Sequence, residues 1–289
     1  MDKLDWSRLS RNEHEGAIAL SQQYPEQIDW DALSHNATDG AIQLLCDNFD
    51  KINWIRLSHN KHDGAIALLQ QYPDNIDWSN LSCNVNDGAI ALLREHPDCI
   101  VFNNLVCVPT VKAIQLLSEY PDKINGDLLS MNEHDDAIAL LQKYPHLINF
   151  MFLSRNDNEN AMTLLEENKD KIDYWFLSMN ANHRAIELFK ENKEEIYWSH
   201  FSQNNHNDVI ALLREQPENI DWKRLATNTN DGAILLMREN IDKINWERLS
   251  LNTTELAMEL LSEHVEKINW KNLSENCNIF VPDISYVLK

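Results

Sequence analysis

The sequence predicts an all-α fold, an α-solenoid of twelve two-helix repeats that wind into a superhelix. Three observations predict it. A unit of 24 residues recurs along the chain without insertion or deletion, each unit holds two apolar segments at helical spacing, and an Asn-containing loop separates the two segments. A fixed period of this size is typical of arrays in which each unit packs on its neighbours. The repeats start at Leu4, Ile28, Ile52, Ile76, Ile100, Ile124, Ile148, Ile172, Ile196, Ile220, Ile244 and Ile268.

We therefore expect residues 1–289 to form a single repeat array. The motif is lost near the C-terminus, and we expect a cap at about 277–289. At the other end, Ser21 replaces the Leu that most repeats carry at position eighteen. Terminal repeats need a polar outer face, so this serine predicts an exposed side chain in the first repeat.

The first segment of each repeat predicts a short α-helix or 3₁₀ helix. Position two is Asp or Asn in ten of the twelve repeats, and these residues favour a helix N-cap. Position three holds eight of the nine tryptophans, and position six is Leu or Phe in every repeat. A helix of six or seven residues does not persist alone, so we expect packing to hold it, with the indoles pointing inward.

The loop and the second segment predict a buried Asn ladder and a longer helix. Position nine is Asn in eleven repeats, and position twelve is acidic in eight. We expect the Asn to bond to the backbone of the adjacent turn, and the acid to cap the helix or to lie in its first turn. Ala and apolar residues at positions fourteen, fifteen, seventeen and eighteen predict a core-facing helix over positions 12–21, with Gly at thirteen admitting the neighbouring repeat. Pro at twenty-two ends this helix.

The repeat, I-D-W-x-x-L-S-x-N-x-x-D-x-A-I-x-L-L-x-x-x-P-D-x, resembles the short α-solenoid repeats of many uncharacterised proteins of giant DNA viruses. It is also similar to the 24-residue leucine-rich-repeat variant, in which an α-helix alternates with a 3₁₀ helix. Most repeats lack the Pro that this variant places after its loop Asn. The resemblance covers the whole chain and implies a binding surface without a catalytic motif.

Composition limits the partners and the compartment. The formal net charge of −21 argues against nucleic acid, whose binding depends on basic residues, and favours a basic protein as partner. The sequence holds no apolar stretch of about 18 residues, so we expect no membrane span. Five cysteines without CxxC spacing favour free thiols in a reducing compartment. We expect a cytoplasmic protein, in the host cytoplasm if the chain is viral.

Repeat five departs most from the motif. Val101 replaces the cap, Phe102 the Trp, Val106 the Ser and Val108 the loop Asn, and Pro109 follows. Two interpretations stay open: a local apolar repacking, or an exposed apolar contact site.

Repeats six to eight carry apolar residues at positions four and five, which are mostly polar elsewhere. We call these residues the apolar strip: Leu128, Met151, Phe152, Trp175 and Phe176. Exposed apolar patches with aromatic residues mark interaction sites, so the strip is the candidate surface for contact with a partner. The alternative is compensation for the Trp that position three loses in these repeats.

A row of acids at positions twenty and twenty-three likewise predicts either a solvated face or a site for a basic partner.

The sequence predicts no catalytic, cofactor or metal site. It has no Gly-rich phosphate loop, nucleophile elbow or HExxH helix. Histidines at position eleven are explained by loop capping. Histidines and cysteines at position eight of repeats two to five are potential zinc ligands. Packed helices lie about 8–10 Å apart, however, so we expect that successive repeats cannot bring them within the roughly 2.0–2.3 Å bonds that zinc needs. The candidates in these two sets are His14, His62, His134 and His206, and His35, His59, Cys83 and Cys107.

We therefore expect a non-enzymatic scaffold for protein–protein interaction, either monomeric or a weak homo-oligomer. The alternative is a structural or self-assembling component, for example of a virion or a viral factory.

Overall fold

The computed structural model of the chain describes residues 4–276, and that range contains only helices, turns and loops. It holds 23 α-helices, short and longer in alternation, and a 3₁₀ helix before each following repeat. The all-α fold, the α-solenoid pattern and the period of about 24 residues are confirmed. The cap predicted at 277–289 lies outside the described residues.

Every complete repeat contains a short helix, a longer helix and a 3₁₀ helix, in that order. The short helices are α1 (Trp6–Arg11), α3 (Trp30–Ser34), α5 (Trp54–His59), α7 (Trp78–Leu81), α9 (Phe102–Leu105), α11 (Gly126–Met131), α13 (Phe150–Arg155), α15 (Tyr174–Leu177), α17 (Trp198–Phe201), α19 (Trp222–Leu225), α21 (Trp246–Leu249) and α23 (Trp270–Leu273). The longer helices are α2 (Glu15–Gln23), α4 (Asp39–Asp47), α6 (Asp63–Gln71), α8 (Asp87–Glu95), α10 (Val111–Ser118), α12 (Asp135–Lys143), α14 (Glu159–Glu166), α16 (His183–Glu191), α18 (Asn207–Glu215), α20 (Asp231–Arg238) and α22 (Glu255–Glu263). The 3₁₀ helices are Pro25–Gln27, Phe49–Lys51, Pro73–Asn75, Pro97–Cys99, Pro121–Lys123, Pro145–Leu147, Lys169–Lys171, Lys193–Glu195, Pro217–Asn219, Ile241–Lys243 and Val265–Lys267.

The chain forms two compact units, Met1–Ile148 and Asn149–Lys289. The boundary follows Ile148, the first residue of repeat seven, so the first unit contains seven repeat starts and the second contains five. That all twelve repeats form one array stays a prediction.

The short helices begin as the sequence predicts. Wherever position two is Asp or Asn, its side chain caps the helix, as when Asp29 Oδ1 accepts the Ala32 N–H at 3.0 Å. Val101 and Tyr197 replace this residue, and neither side chain caps. The Leu or Phe at position six is fully buried in repeats two to eleven, as in Leu33 and Leu57.

The tryptophans at position three are half-buried in seven repeats and exposed in the last, at Trp270, rather than directed into the core. Trp78 packs on His96 with ring centroids 5.0 Å apart, and Trp54 packs on Tyr72 at 5.9 Å. The partner ring in each case precedes the 3₁₀ helix of the same repeat. The indole therefore covers that turn at the surface, while the smaller Leu three residues later fills the core.

The N-cap of each longer helix is the residue at position eleven, one before the position that is mostly acidic. Asn86 is the N-cap of α8 and accepts the Gly88 N–H at 2.7 Å, while Asp87 lies in the first turn. The acid therefore does not cap the helix but lies in its first turn, where a negative charge interacts favourably with the helix dipole.

Close approach of neighbouring repeats explains the Gly at position thirteen. A Cβ on Gly40 would lie 2.7 Å from Ile18 Cγ2 of the preceding repeat, so the predicted role of this Gly is confirmed.

The prediction that Ser21 is exposed in the first repeat is wrong. Ser21 is fully buried, and its hydroxyl donates to the Ala17 carbonyl at 3.0 Å, which satisfies the polar group inside the repeat.

The Asn ladder is confirmed and connects consecutive repeats within each unit. Asn84, which is 1% exposed, donates from Nδ2 to the carbonyls of Ser58 and Asn60, both at 3.0 Å. Its Oδ1 accepts the Asn86 N–H at 2.9 Å. A buried amide with these bonds satisfies backbone groups that would otherwise be unpaired. The same pair of donated bonds recurs at Asn36, Asn60, Asn180, Asn228 and Asn252.

Candidate functional site

Repeat five places its valines inside the protein. Val106 is fully buried and Val108 is 3% exposed, while Val101 and Phe102 are half-buried and Pro109 is exposed. These positions favour the interpretation of local apolar repacking, because a contact site needs its apolar side chains at the surface.

The ring of Phe102 keeps the role of the tryptophan that it replaces, since it packs on Tyr120 with centroids 5.4 Å apart. The loop changes instead. Val108 has no amide, and the Thr110 N–H donates to the Val108 carbonyl at 3.0 Å in place of an Asn side chain. Repeat five is therefore a break in the ladder with the helices retained.

The apolar strip divides between the two units. Leu128 lies on α11 in the first unit and is half-buried. At position three of the same repeat, a Cβ on Gly126 would overlap the carbonyl oxygen of Leu147. The backbone of the 3₁₀ turn thus occupies the space that a Trp fills in other repeats.

The second unit brings the remaining strip residues together on α13 and α15, with α17 beside them. Phe152 and Phe176 meet edge to face with ring centroids 6.0 Å apart. The ring centroid of Trp175 lies 4.6 Å from that of Phe176 and 4.5 Å from that of His200. We call Phe152, Trp175, Phe176 and His200 the aromatic cluster. Trp175 is 40% exposed and Met151, on α13, is 38% exposed. Edge-to-face ring pairs add to the stability of a packed surface.

His200 extends this surface, and sequence reasoning missed it. It occupies position five, as Phe152 and Phe176 do, and that shared position is the signal that identifies it. Burial lowers the pKa of His200, and the Arg224 guanidinium lowers it further. Its Nε2 is buried with no hydrogen-bond partner within residues 4–276. The neutral form of the ring is therefore favoured, which keeps this end of the cluster uncharged.

The loop edge of the first unit forms an open groove of about 460 Å³ lined in part by Arg11, His35, His59 and Cys83. The rings of His35 and His59 stack with centroids 5.7 Å apart and an angle of 5° between their planes. Side chains of adjacent repeats at position eight therefore approach more closely than the axes of packed helices, which lie about 8–10 Å apart. Burial lowers the pKa of His35, and His59 and Arg11 lower it further.

Three potential metal ligands meet in the second unit, although the sequence predicted no metal site. Ligand atoms of His183, His206 and Asp208 all lie within 4.8 Å of one another, and these residues are the only such group in the described part of the chain. His183 Nδ1 lies 3.0 Å from Asp208 Oδ2, and His206 Nδ1 lies 3.9 Å from it. The signal in the sequence is a His at position twelve, where most repeats have an acid, and an Asp at thirteen, where five have Gly.

No protein-family model, no curated protein and no solved structure matches the chain. Within residues 4–276, no helix is long and apolar enough to cross a membrane.

Arginines of the preceding repeat pair with part of the predicted acidic row. Arg94 contacts Glu119 at 2.8 Å in the first unit, and Arg238 contacts Glu263 at 2.9 Å in the second. Arg214 and Glu239 form the same pair at 3.0 Å. Exposed ion pairs of this kind contribute little to stability, but they reduce the negative charge that this face offers to a partner.

Proposed function

We propose that the chain is a non-enzymatic scaffold for protein–protein interaction, and that its second unit docks an apolar segment of a partner protein. The observation that supports this is the aromatic cluster with its exposed neighbour Met151. Other repeats mostly place polar residues on this face of the short helices. Aromatic and Met side chains are enriched in interface cores, and a few such residues carry most of the binding energy.

The chemistry of the surface favours a partner segment with an aromatic or aliphatic anchor flanked by Lys or Arg. The net charge of −21 attracts basic segments over several ångströms and speeds their association. The faces of Trp175 and Phe176 also accept cations. We propose a reducing, cytoplasmic location, which in a viral protein is the host cytoplasm. It is supported by the four cysteines within residues 4–276, none of which is paired.

A library of phage-displayed peptides, panned against the purified chain, tests the proposal. The test variant replaces Met151 and Trp175 by Ser, the residue that the chain itself uses at position four in Ser79 and Ser199. The control, Ile55→Ser, removes an exposed apolar residue from the same position in the first unit. We expect basic, aromatic-containing peptides whose affinity falls at least about tenfold in the double variant, since one hot-spot residue is worth about 2 kcal/mol.

Selected peptides that bind wild type, Met151→Ser/Trp175→Ser and Ile55→Ser equally well would contradict the proposal. The alternative function, self-assembly, predicts that a second copy covers the same surface. Multi-angle light scattering then gives a mass above that of the monomer in wild type and a monomer in the double variant. A monomer at all concentrations in both proteins rejects that alternative.

A further inference from the structure

The geometry points to a binding site that His183, His206 and Asp208 form for a divalent transition-metal ion such as zinc. This site lies outside the aromatic cluster and is independent of the function proposed above. Two imidazoles and one carboxylate form a ligand set that zinc and its neighbours in the first transition row prefer.

The distances suit such an ion after small movements of the side chains. The ligand atoms lie at most 4.8 Å apart, so an ion placed among them can lie within about 2.8 Å of each. Side-chain rotation that moves each ligand by about 0.7 Å or less then reaches zinc bonds of about 2.0–2.2 Å. His183 and Asp208 are partly exposed, so they can rotate and an ion can enter from solvent.

His206 can bind an ion only in exchange for its structural role. Its Nδ1 is the N-cap of α18 and accepts the Asp208 N–H at 3.2 Å. The equivalent His62 also caps with Nδ1, and its Nε2 reaches Asp39 Oδ1 of the preceding repeat at 3.1 Å. The residue equivalent to Asp39 in front of His206 is His183. We therefore assign Nε2 of His206 as the ligand atom. A neutral imidazole keeps one N–H, so the ring proton moves from Nε2 to Nδ1 when the ion binds, and the hydrogen bond from the Asp208 N–H is lost.

Two further features oppose the ion and limit its affinity. The site lies at the N-termini of α16 and α18, where the helix dipoles are positive. Lys190 lies nearby and pairs with Glu187 at 2.6 Å, so Glu187, 3.6 Å from His183 Nε2, is already engaged. Three protein ligands and one open coordination position, filled by water, are expected.

The chain contains a matched pair of ligands without the third. His134 and Asp136 repeat the geometry, with Nδ1 and Oδ2 again 3.9 Å apart, but Val111 stands where His183 stands in the second unit. Comparison of the two locations separates a three-ligand site from ordinary weak binding by a histidine and a carboxylate.

Zinc titration of the full chain, followed by a competing chromophoric chelator and by elemental analysis after dialysis, tests the inference. We expect one equivalent in wild type, about a tenfold or greater loss of affinity in His183→Val and in His206→Asn, and a second equivalent in Val111→His. Asn caps the helix at position eleven in other repeats, so His206→Asn removes the ligand and keeps the fold, which circular dichroism checks. Absence of stoichiometric zinc in wild type, or binding that both loss variants retain, would overturn the inference.

Discussion

Single polar side chains, rather than bulk apolar burial, fix the register between repeats. Each ladder Asn donates two hydrogen bonds backward and accepts one from its own loop, as Asn84 does. Ser58 adds a second connection, because its hydroxyl donates to the Trp54 carbonyl and accepts the Asp77 N–H of the next repeat. Apolar contacts are non-directional, so these bonds determine how one repeat sits on the next.

Replacing Asn84 by Ala should therefore be costly. It leaves two carbonyls and one N–H unpaired in a buried loop, and each unpaired group costs about 1–3 kcal/mol, so we expect a loss of about 3 kcal/mol or more. Urea unfolding followed by circular dichroism measures it. The exposed Asn103→Ala should change stability by less than about 0.5 kcal/mol.

The reverse change, Val108→Asn, should restore the ladder at repeat five and add about 1 kcal/mol for the new bonds. If Asn84→Ala behaves like Asn103→Ala, the ladder does not hold the repeats together.

His200 should make the second unit sensitive to acid. Its pKa in the folded protein lies below the ordinary 6.5 because of burial and of Arg224. The unfolded state then binds the proton more readily, so stability is complete above pH 6.5 and falls as the pH drops below it. We expect the melting temperature of His200→Phe to fall less than that of wild type between pH 7.5 and 5.0. Arg224→Gln should reduce the acid sensitivity in part. An equal fall in all three proteins would contradict this role.

At the scale of the helices, the loops decide where each element begins. The N-cap of the longer helix is a His, Asn or Thr at position eleven, and the acid follows it in the first turn. The His caps at this position, which the sequence predicted, accept through Nδ1, as His62 does from the Gly64 N–H at 3.0 Å. Capping of this kind is worth about 1 kcal/mol per helix, which is large for helices of nine residues or fewer.

Repeat six shows an element rebuilt around a missing side chain, and it gives a prediction against the repeat motif. Gly126→Trp restores the motif residue, but its side chain would meet the Leu147 carbonyl. We expect a loss of about 1–3 kcal/mol from overpacking, measured as a shift in the urea midpoint. Phe102→Trp is the control, because a ring already occupies position three of repeat five. A more stable Gly126→Trp would show that the turn at Leu147 adapts freely.

For the molecule as a whole, repulsion between like charges should outweigh the ion pairs. The net charge is −21, while the Arg–Glu pairs between repeats are exposed and therefore weak. Salt screens both, since the Debye length falls from about 30 Å at 0.01 M to about 3 Å at 1 M. We expect the melting temperature to rise by a few degrees between 10 mM and 0.5 M NaCl. A falling melting temperature would mean that the ion pairs dominate.

The sequence by itself determined the period, the alternation of a short and a longer helix, the caps and the buried Asn ladder. These are properties of residues that recur at one spacing and act within a repeat or on its neighbour, so the pattern of one repeat predicts all. It also identified the residues of the apolar strip, because they depart from that pattern.

Only the tertiary structure decided which departures reach the surface and which residues of adjacent repeats meet. Val108 is buried and Trp175 is not, although both are apolar substitutions at polar positions. His183, His206 and Asp208 converge although they come from two different repeats. The physical reason is that burial and side-chain distance depend on how close neighbouring loops approach, and that approach is set by packing across repeats rather than by spacing along the chain.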